Sequence, residues 1–279
     1  MIVSTLVSSH GTGHGADGSD TTLLAELAAW LPVAVVAAVG VAYVVLAARA
    51  RHRQGWPPGR TPAFATGIAL LALGLTPRFD AVAAQDFGGH AAQHLLIAMV
   101  APLALVLGSP VTLLLRTLPH AAARRLGRLL NSPVAHVLTH PVTALVLSSG
   151  GLLVLYFTPL YRLSTEQTWV HVLVHLHLVL SGFLFAWVIA GLDPAPRRAG
   201  VRTRLVVLGV SIFVHACVSQ LLYAGIWVQV DAPVAQLRAA GNLMYFGGDI
   251  AELALALVML LAARPDRAER SGEVVHQRA

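Results

Sequence analysis

The chain has 279 residues, of which 56% are hydrophobic and only 11% are charged, whereas soluble domains carry roughly 25% charged residues. Together with a mean hydropathy of +0.71, this composition excludes a soluble globular domain and predicts an integral membrane protein. The net charge is +6, and all 19 basic residues are arginines, because the sequence contains no lysine. Most arginines fall between apolar runs, which indicates control of membrane topology rather than binding to nucleic acid.

Seven runs of predominantly apolar residues approach or exceed the roughly 20 residues that a membrane-spanning helix needs. The second run is the least regular, because Pro77, Arg78 and Asp80 interrupt its end. The pattern predicts an all-α, polytopic membrane protein built as a bundle of seven transmembrane helices. In chain order the runs lie near residues 23–48, 62–81, 89–115, 137–160, 168–191, 204–224 and 241–263.

The placement of the arginines predicts the orientation of the bundle. Sixteen arginines follow the first, third, fifth and seventh runs, and only Arg78, Arg162 and Arg238 lie in the opposite loops. Because arginine-rich loops stay in the cytoplasm, we expect the N-terminus outside and the C-terminus inside a cell (plasma) membrane. The predicted parts are a polar extracytoplasmic segment over residues 1–22, the seven-helix domain over residues 23–263, and a charged cytoplasmic tail over residues 264–279.

Histidines inside the apolar runs are the main chemical signal. The third run opens with His90 and His94, and the fifth carries His171 and His175. Residues four apart share a helical face, so each pair presents two imidazoles to one side. Ionisable side chains within membrane segments are expensive and by default mark a functional site.

Counting residues along the helices places further candidate ligands at the same depth in the membrane. A rise of about 1.5 Å per residue places His94, His175, His215 and Asp249 at similar distances below the predicted outer surface. Neutral imidazole is the commonest metal ligand, and a carboxylate in hydrocarbon needs a cation or a proton. We therefore predict a metal site in the outer half of the bundle. Its predicted ligands are His90, His94, His171, His175, His215 and Asp249.

Two further residues are secondary candidates. Glu252 lies three residues after Asp249 and shares its face of the seventh helix. His177 points about 200° away from His175, so a hydrogen bond to a neighbouring helix explains it equally well. Acidic residues near the outer loops, Asp80 among them, could attract cations, although their pattern is also that of ordinary solvated loops. The donor set suits copper, zinc or iron, and the spacing does not choose among these metals.

Two other functions remain open on the residues alone. Histidines on separate helices are also found in membrane redox proteins that bind haem, although a bis-histidine haem needs one imidazole from each side rather than two on one face. A metal transporter is the other alternative, although the inner halves of the helices carry few polar residues. The absence of lysine excludes a retinal Schiff base, and the single Cys217 excludes a CxxC metal or redox motif.

Short motifs occur in order between about residues 60 and 263. They are His90-Ala-Ala-Gln-His94, Leu107-Gly-Ser-Pro110, Tyr156-Phe-Thr-Pro159-Leu-Tyr161, His171-x-x-x-His175-x-His177 and Gly191-Leu-Asp193-Pro194. This series resembles the CtaG family of cytochrome c oxidase assembly factors, which is associated with caa-type oxidases. The chain departs from the family pattern between Asp231 and Gly241, so partner contacts in that loop are not carried over.

The resemblance implies a non-enzymatic membrane protein that is needed to form active haem-copper oxidase and that takes part in providing its copper. We therefore expect a copper ion as the bound metal. The expected partners are the subunits of cytochrome c oxidase, an extracytoplasmic copper donor and the lipid bilayer, and no nucleic acid. The histidines that match the family are His90, His94, His171, His175 and His177.

Overall fold

The structure, a computed structural model, describes residues 17–196 and 198–263, except for the side chains of residues 17–25, 53 and 54. Within these residues the protein is all-helical and contains no strand. The first helix begins at Asp17, ahead of the predicted start near residue 23. Most of the predicted N-terminal segment and all of the predicted C-terminal tail lie outside the described residues.

Thirteen α-helices and one π-helical segment make up this part of the chain. They are α1 (Asp17–Gln54), α2 (Arg60–Gly74), α3 (Pro77–Gln85), α4 (Phe87–Leu95), the π-helical segment (Leu96–Val100), α5 (Ala101–Leu107), α6 (Pro110–Thr117), α7 (His120–Leu130), α8 (Pro133–Leu138), α9 (Pro141–Phe157), α10 (Leu160–Glu166), α11 (Thr168–Ala190), α12 (Val201–Ala224) and α13 (Val234–Ala263).

The described helices include five segments that are long and apolar enough to cross a membrane. Two bent helix pairs raise this number to seven if each pair forms one span: α2 with α3, bent by 54°, and α9 with α10, bent by 77°. The predicted class of an all-helical membrane protein is therefore confirmed, with five to seven candidate spans. The five segments are Glu26–His52, Phe87–Leu107, Thr168–Ala190, Val201–Ala224 and Val234–Ala263.

The third predicted run, residues 89–115, is divided rather than continuous. It ends as a span at Leu107, and α6 starts after Ser109, whose φ of 49° turns the chain. The buried carboxylate of Asp193, in the loop after α11, accepts hydrogen bonds from the backbone N–H groups of Val111 and Thr112 at 3.2 and 2.8 Å. Burial raises the pKa of Asp193, and these hydrogen bonds oppose that rise. The carboxylate thus caps the positive end of α6.

The helices that carry the predicted ligands pack against one another. α12 lies along α13, α4 packs against α3 and α13, and α11 packs against α9 and the π-helical segment. At the contact between α11 and the π-helical segment, a Cβ on Gly182 would overlap the carbonyl group of Ala98. Large apolar side chains such as Val35, Leu176 and Ile250 are exposed, as expected for residues that face lipid.

Candidate metal centre

Three potential metal ligands meet where α3 faces the start of α11, and we call Asp80, His171 and His175 the triad. The rings of His171 and His175 lie one helical turn apart, with centroids separated by 4.1 Å. Nε2 of His171 lies 3.7 Å from Oδ1 of Asp80. One ligand atom from each residue lies within 4.8 Å of the other two. Ligands in a tetrahedral site with bonds of 2.0–2.1 Å are about 3.3 Å apart, so small side-chain movements would close the triad around an ion.

A helix start places Asp80 in the triad. Thr76 caps α3 by accepting a hydrogen bond from the backbone N–H of Phe79 at 3.3 Å, and Pro77 occupies the first helical position. Such a cap fixes the start of a helix, because it satisfies an N–H that has no partner within the helix. Asp80 then lies in the first turn of α3. The 54° bend after α2 turns this helix against α4 and brings the carboxylate toward α11.

Gln93 orients the carboxylate of the triad. This buried side chain lies on α4, and its Nε2 donates hydrogen bonds to the carbonyl oxygen of Gly74, at 2.8 Å, and to Oδ1 of Asp80. The same Oδ1 faces Nε2 of His171. Gln93 therefore acts as the kind of outer partner that commonly positions a metal-binding carboxylate.

His90 lies beside the triad, against an aromatic wall. Its ring stacks on Phe87 at a centroid distance of 5.7 Å and meets Tyr161 edge-on at 4.9 Å. It is close enough to His171 and His175 for their charges to interact. Its Nε2 atom is buried and has no hydrogen-bond partner among the described residues. The structure therefore brings His90 next to the triad but not into the three-ligand group.

His94 and His215 belong to a second polar cluster, which lines a cavity of about 60 Å³ that we call the chamber. His94 lies one turn further along α4 than His90, and His215 lies on α12. Nδ1 of His215 is 3.7 Å from Oε2 of Glu252 on α13. Ser211 donates a hydrogen bond to Oε1 of Glu252 at 2.8 Å. The predicted set of histidines is therefore divided between two neighbouring clusters.

Asp249 is half-buried and belongs to neither the triad nor the chamber. The face of α13 that meets His215 is formed by Gly248 and Glu252, since a Cβ on Gly248 would overlap the His215 ring. Asp249 is rotated by about 100° from Gly248 around the helix. Glu252, a secondary candidate in the sequence, is the carboxylate that the structure places beside His215.

His177 contacts a neighbouring helix rather than the triad. Its Nε2 donates a hydrogen bond to the carbonyl oxygen of Leu147 on α9 at 3.1 Å. Gly151 makes room for the imidazole, because a Cβ at that position would overlap Nε2. This geometry matches the hydrogen-bonded interhelical contact that the sequence offered as an alternative to metal ligation.

Two residues of this centre, Asp80 and Gln93, were not predicted from the sequence. Asp80 resembled a solvated loop residue, although the pair Thr76-Pro77 before it is a helix-start signal. Gln93 is the polar residue between His90 and His94, and its burial among apolar neighbours required a partner. Both signals were present in the sequence, but only the fold shows that they concern the same site.

Comparison with known proteins identifies the family. The profile described as cytochrome c oxidase caa3 assembly factor (Caa3_CtaG) matches residues 41–264. The chain belongs to this family. The match contains the triad, the chamber and Gln93, so the whole candidate centre lies within the Caa3_CtaG region. This family is described as one of cytochrome c oxidase caa3 assembly factors.

Curated relatives of this Caa3_CtaG chain come from mycobacteria. Uncharacterized protein Mb0105 of Mycobacterium bovis and Uncharacterized protein MT0111 of Mycobacterium tuberculosis are each 35% identical over 207 residues, which cover 70% of this chain and 31% of each relative. Uncharacterized protein ML1998 of Mycobacterium leprae is 35% identical over 186 residues, which cover 64% of this chain and 28% of the relative. The aligned region thus makes up less than a third of these relatives. No solved structure matches the chain.

Proposed function

We propose that this Caa3_CtaG protein is a plasma-membrane assembly factor that binds a copper ion at the triad and delivers it to a nascent haem-copper cytochrome c oxidase. The observation that carries the proposal is the triad itself. Two imidazoles of α11 and a carboxylate of α3, some ninety residues apart in sequence, bring their ligand atoms within 4.8 Å of one another. The family supplies the link to oxidase assembly.

The chemistry of the triad supports a copper ion that is exchanged rather than kept. Imidazole and carboxylate ligands together suit copper, zinc or iron, and the link to a haem-copper oxidase favours copper. Three protein ligands leave a coordination position open, as in metal sites where the ion must react or exchange. The side chains of His171 and Asp80 are each 35% exposed, so a donor or an acceptor can reach the ion.

The geometry favours a metal ion over haem, the alternative left open by the sequence. A haem held by two histidines lies between opposed imidazoles, whereas the rings of His171 and His175 are in direct contact at 4.1 Å. The chamber, at about 60 Å³, holds only a few groups of the size of water. A cavity of this volume has no room for a porphyrin.

The proposed orientation places the triad on the extracytoplasmic side, as the distribution of arginines predicts. In this arrangement an extracytoplasmic copper donor loads the triad, and a subunit of cytochrome c oxidase accepts the ion. Both partners would approach the end of the bundle where α3, α4 and α11 begin.

The proposal is tested in cells that lack this protein. We expect them to lose most of their caa-type oxidase activity, because the oxidase is synthesised without its copper, and to regain part of it when copper is added to the medium. Oxidase activity of membranes, with and without added copper, is the measurement. A strain carrying His120→Ala, which removes an exposed histidine of α7, serves as the control and should behave as the wild type. Oxidase activity that added copper does not restore would contradict copper delivery.

A further inference from the structure

We propose that the chamber is a second metal site, separate from the triad, in which His94, His215 and Glu252 bind a copper ion inside the bundle. The identity of the ion rests on the proposed function, whereas the existence of the site rests on the geometry of the chamber alone.

Three residues that line the chamber carry ligand atoms without a partner. Nδ1 of His94, Nε2 of His215 and Oε2 of Glu252 are buried and have no hydrogen-bond partner among the described residues. The three residues are only 5%, 6% and 3% exposed. Leaving a buried polar atom without a partner is energetically costly, and such atoms are rare in folded proteins unless water or an ion satisfies them. Three of them around one cavity indicate a bound species.

The charge of the chamber indicates that the species is a cation. Glu252 is the only carboxylate among the residues that line the cavity, and no arginine is found among these lining residues. An ionised carboxylate in an apolar interior requires a compensating charge, and the neighbouring His215 supplies one only if it is protonated. Ser211 satisfies one oxygen of Glu252, which leaves Oε2 available beside the two imidazoles.

The size and lining of the chamber fit a metal ion. A volume of about 60 Å³ accommodates an ion with a few waters, since each water needs roughly 10–15 Å³ by the same measure. Met99 also lines the cavity, and its thioether adds a soft donor of the kind that copper accepts. The cavity therefore offers two nitrogens, one carboxylate oxygen and one sulfur.

The chamber is connected to the triad through α4. His94 is close enough to His215 on one side, and to His90 and His175 on the other, for their charges to interact. The π-helical segment begins one residue after Leu95, and its residue Ala98 lines the chamber. Single π-helical turns inside α-helices occur frequently at functional sites. His90 and His94, one turn apart on α4, thus lie close to both the triad and the chamber.

Copper stoichiometry tests the second site. The purified full chain is loaded with Cu(II), freed of excess metal and measured by elemental analysis. We expect two copper ions per chain in the wild type and one in the double variant His215→Leu/Glu252→Leu. Replacing both members of a buried polar pair with apolar groups of similar shape is often nearly neutral for stability, so this variant should remain folded. His120→Ala is the matched control and should retain two ions.

The triad variant Asp80→Ala/His175→Ala separates this inference from the proposed function. It should retain one ion, bound in the chamber. One possible outcome is that the wild-type chain binds a single ion, which the triad variant loses and the chamber variant keeps. This result would overturn the second site and leave the proposed function standing. One ion lost only with the chamber variant would support the chamber and contradict the triad.

A second chamber variant, Glu252→Gln, tests the site even if the double variant fails to fold. Glu252→Gln preserves the shape of the side chain and its contact with Ser211 but removes the charge. It should weaken binding of one of the two ions by more than the roughly 10–100-fold that follows loss of an outer partner. Unchanged affinity for both ions in a folded Glu252→Gln protein would show that the chamber binds no metal.

Discussion

Replacing Asp80 and His175 with alanine is expected to remove the copper ion of the triad and to lower caa-type oxidase activity to the level of cells that lack the protein. The double variant deletes two of the three ligand atoms that lie within 4.8 Å of one another. His171 alone then remains, and a single imidazole does not hold an exchangeable ion against competing ligands. Copper content of the purified protein and oxidase activity of the membranes measure the two effects.

Two control variants make this result specific to the triad. Asp80→Asn retains an oxygen to accept the hydrogen bond from Gln93 but loses the charge, so we expect weaker binding rather than complete loss. His177→Gln removes an imidazole from the same helix while keeping a donor for the carbonyl oxygen of Leu147, and it should retain copper. A triad variant with the copper content and oxidase activity of the wild type would contradict the site.

The variant Gly182→Ala is expected to destabilise the bundle by about 3 kcal/mol, the upper end of the range for overpacked cores. The new Cβ would overlap the carbonyl group of Ala98, and backbone cannot rotate away as a side chain can. α11 would have to move away from the π-helical segment, which also deforms the chamber that Gly182 lines. Thermal unfolding of the purified protein, followed by circular dichroism, measures the change.

Gly209→Ala is the matched control for this variant. Gly209 lies within α12, and a Cβ at that position would meet no atom within 4 Å. Alanine favours a helix interior over glycine by about 0.5–1 kcal/mol, so this variant should be as stable as the wild type or slightly more so. If Gly182→Ala unfolds at the same temperature as Gly209→Ala, the close approach of α11 to the π-helical segment is not what holds these helices together.

Local spacing predicted the parts of the site that depend on a single helix. The four-residue separation of His171 and His175 predicted adjacent imidazoles, and their rings are 4.1 Å apart. The same spacing on α4 predicted that His90 and His94 follow one another along a face. Apolar run length predicted the membrane class and located most of the candidate spans.

The direction in which a side chain points across the bundle was not predictable from residue spacing. Counting residues gives the depth of a side chain, but the packing of neighbouring helices decides which cavity it faces. The count for Asp249 started at residue 241, whereas α13 begins at Val234, a difference of about 10 Å along the helix. Asp80 joins the triad only because of the 54° bend between α2 and α3, which depends on contacts that the sequence does not display.

Copper K-edge X-ray absorption of the purified, copper-loaded protein tests the central claim most directly. We predict nitrogen and oxygen neighbours at about 2.0 Å, with the multiple-scattering features of imidazole, and a clear loss of this signal per chain in the Asp80→Ala/His175→Ala variant. A spectrum dominated by sulfur neighbours, or one whose intensity per chain is unchanged by the variant, would contradict binding of copper at the triad.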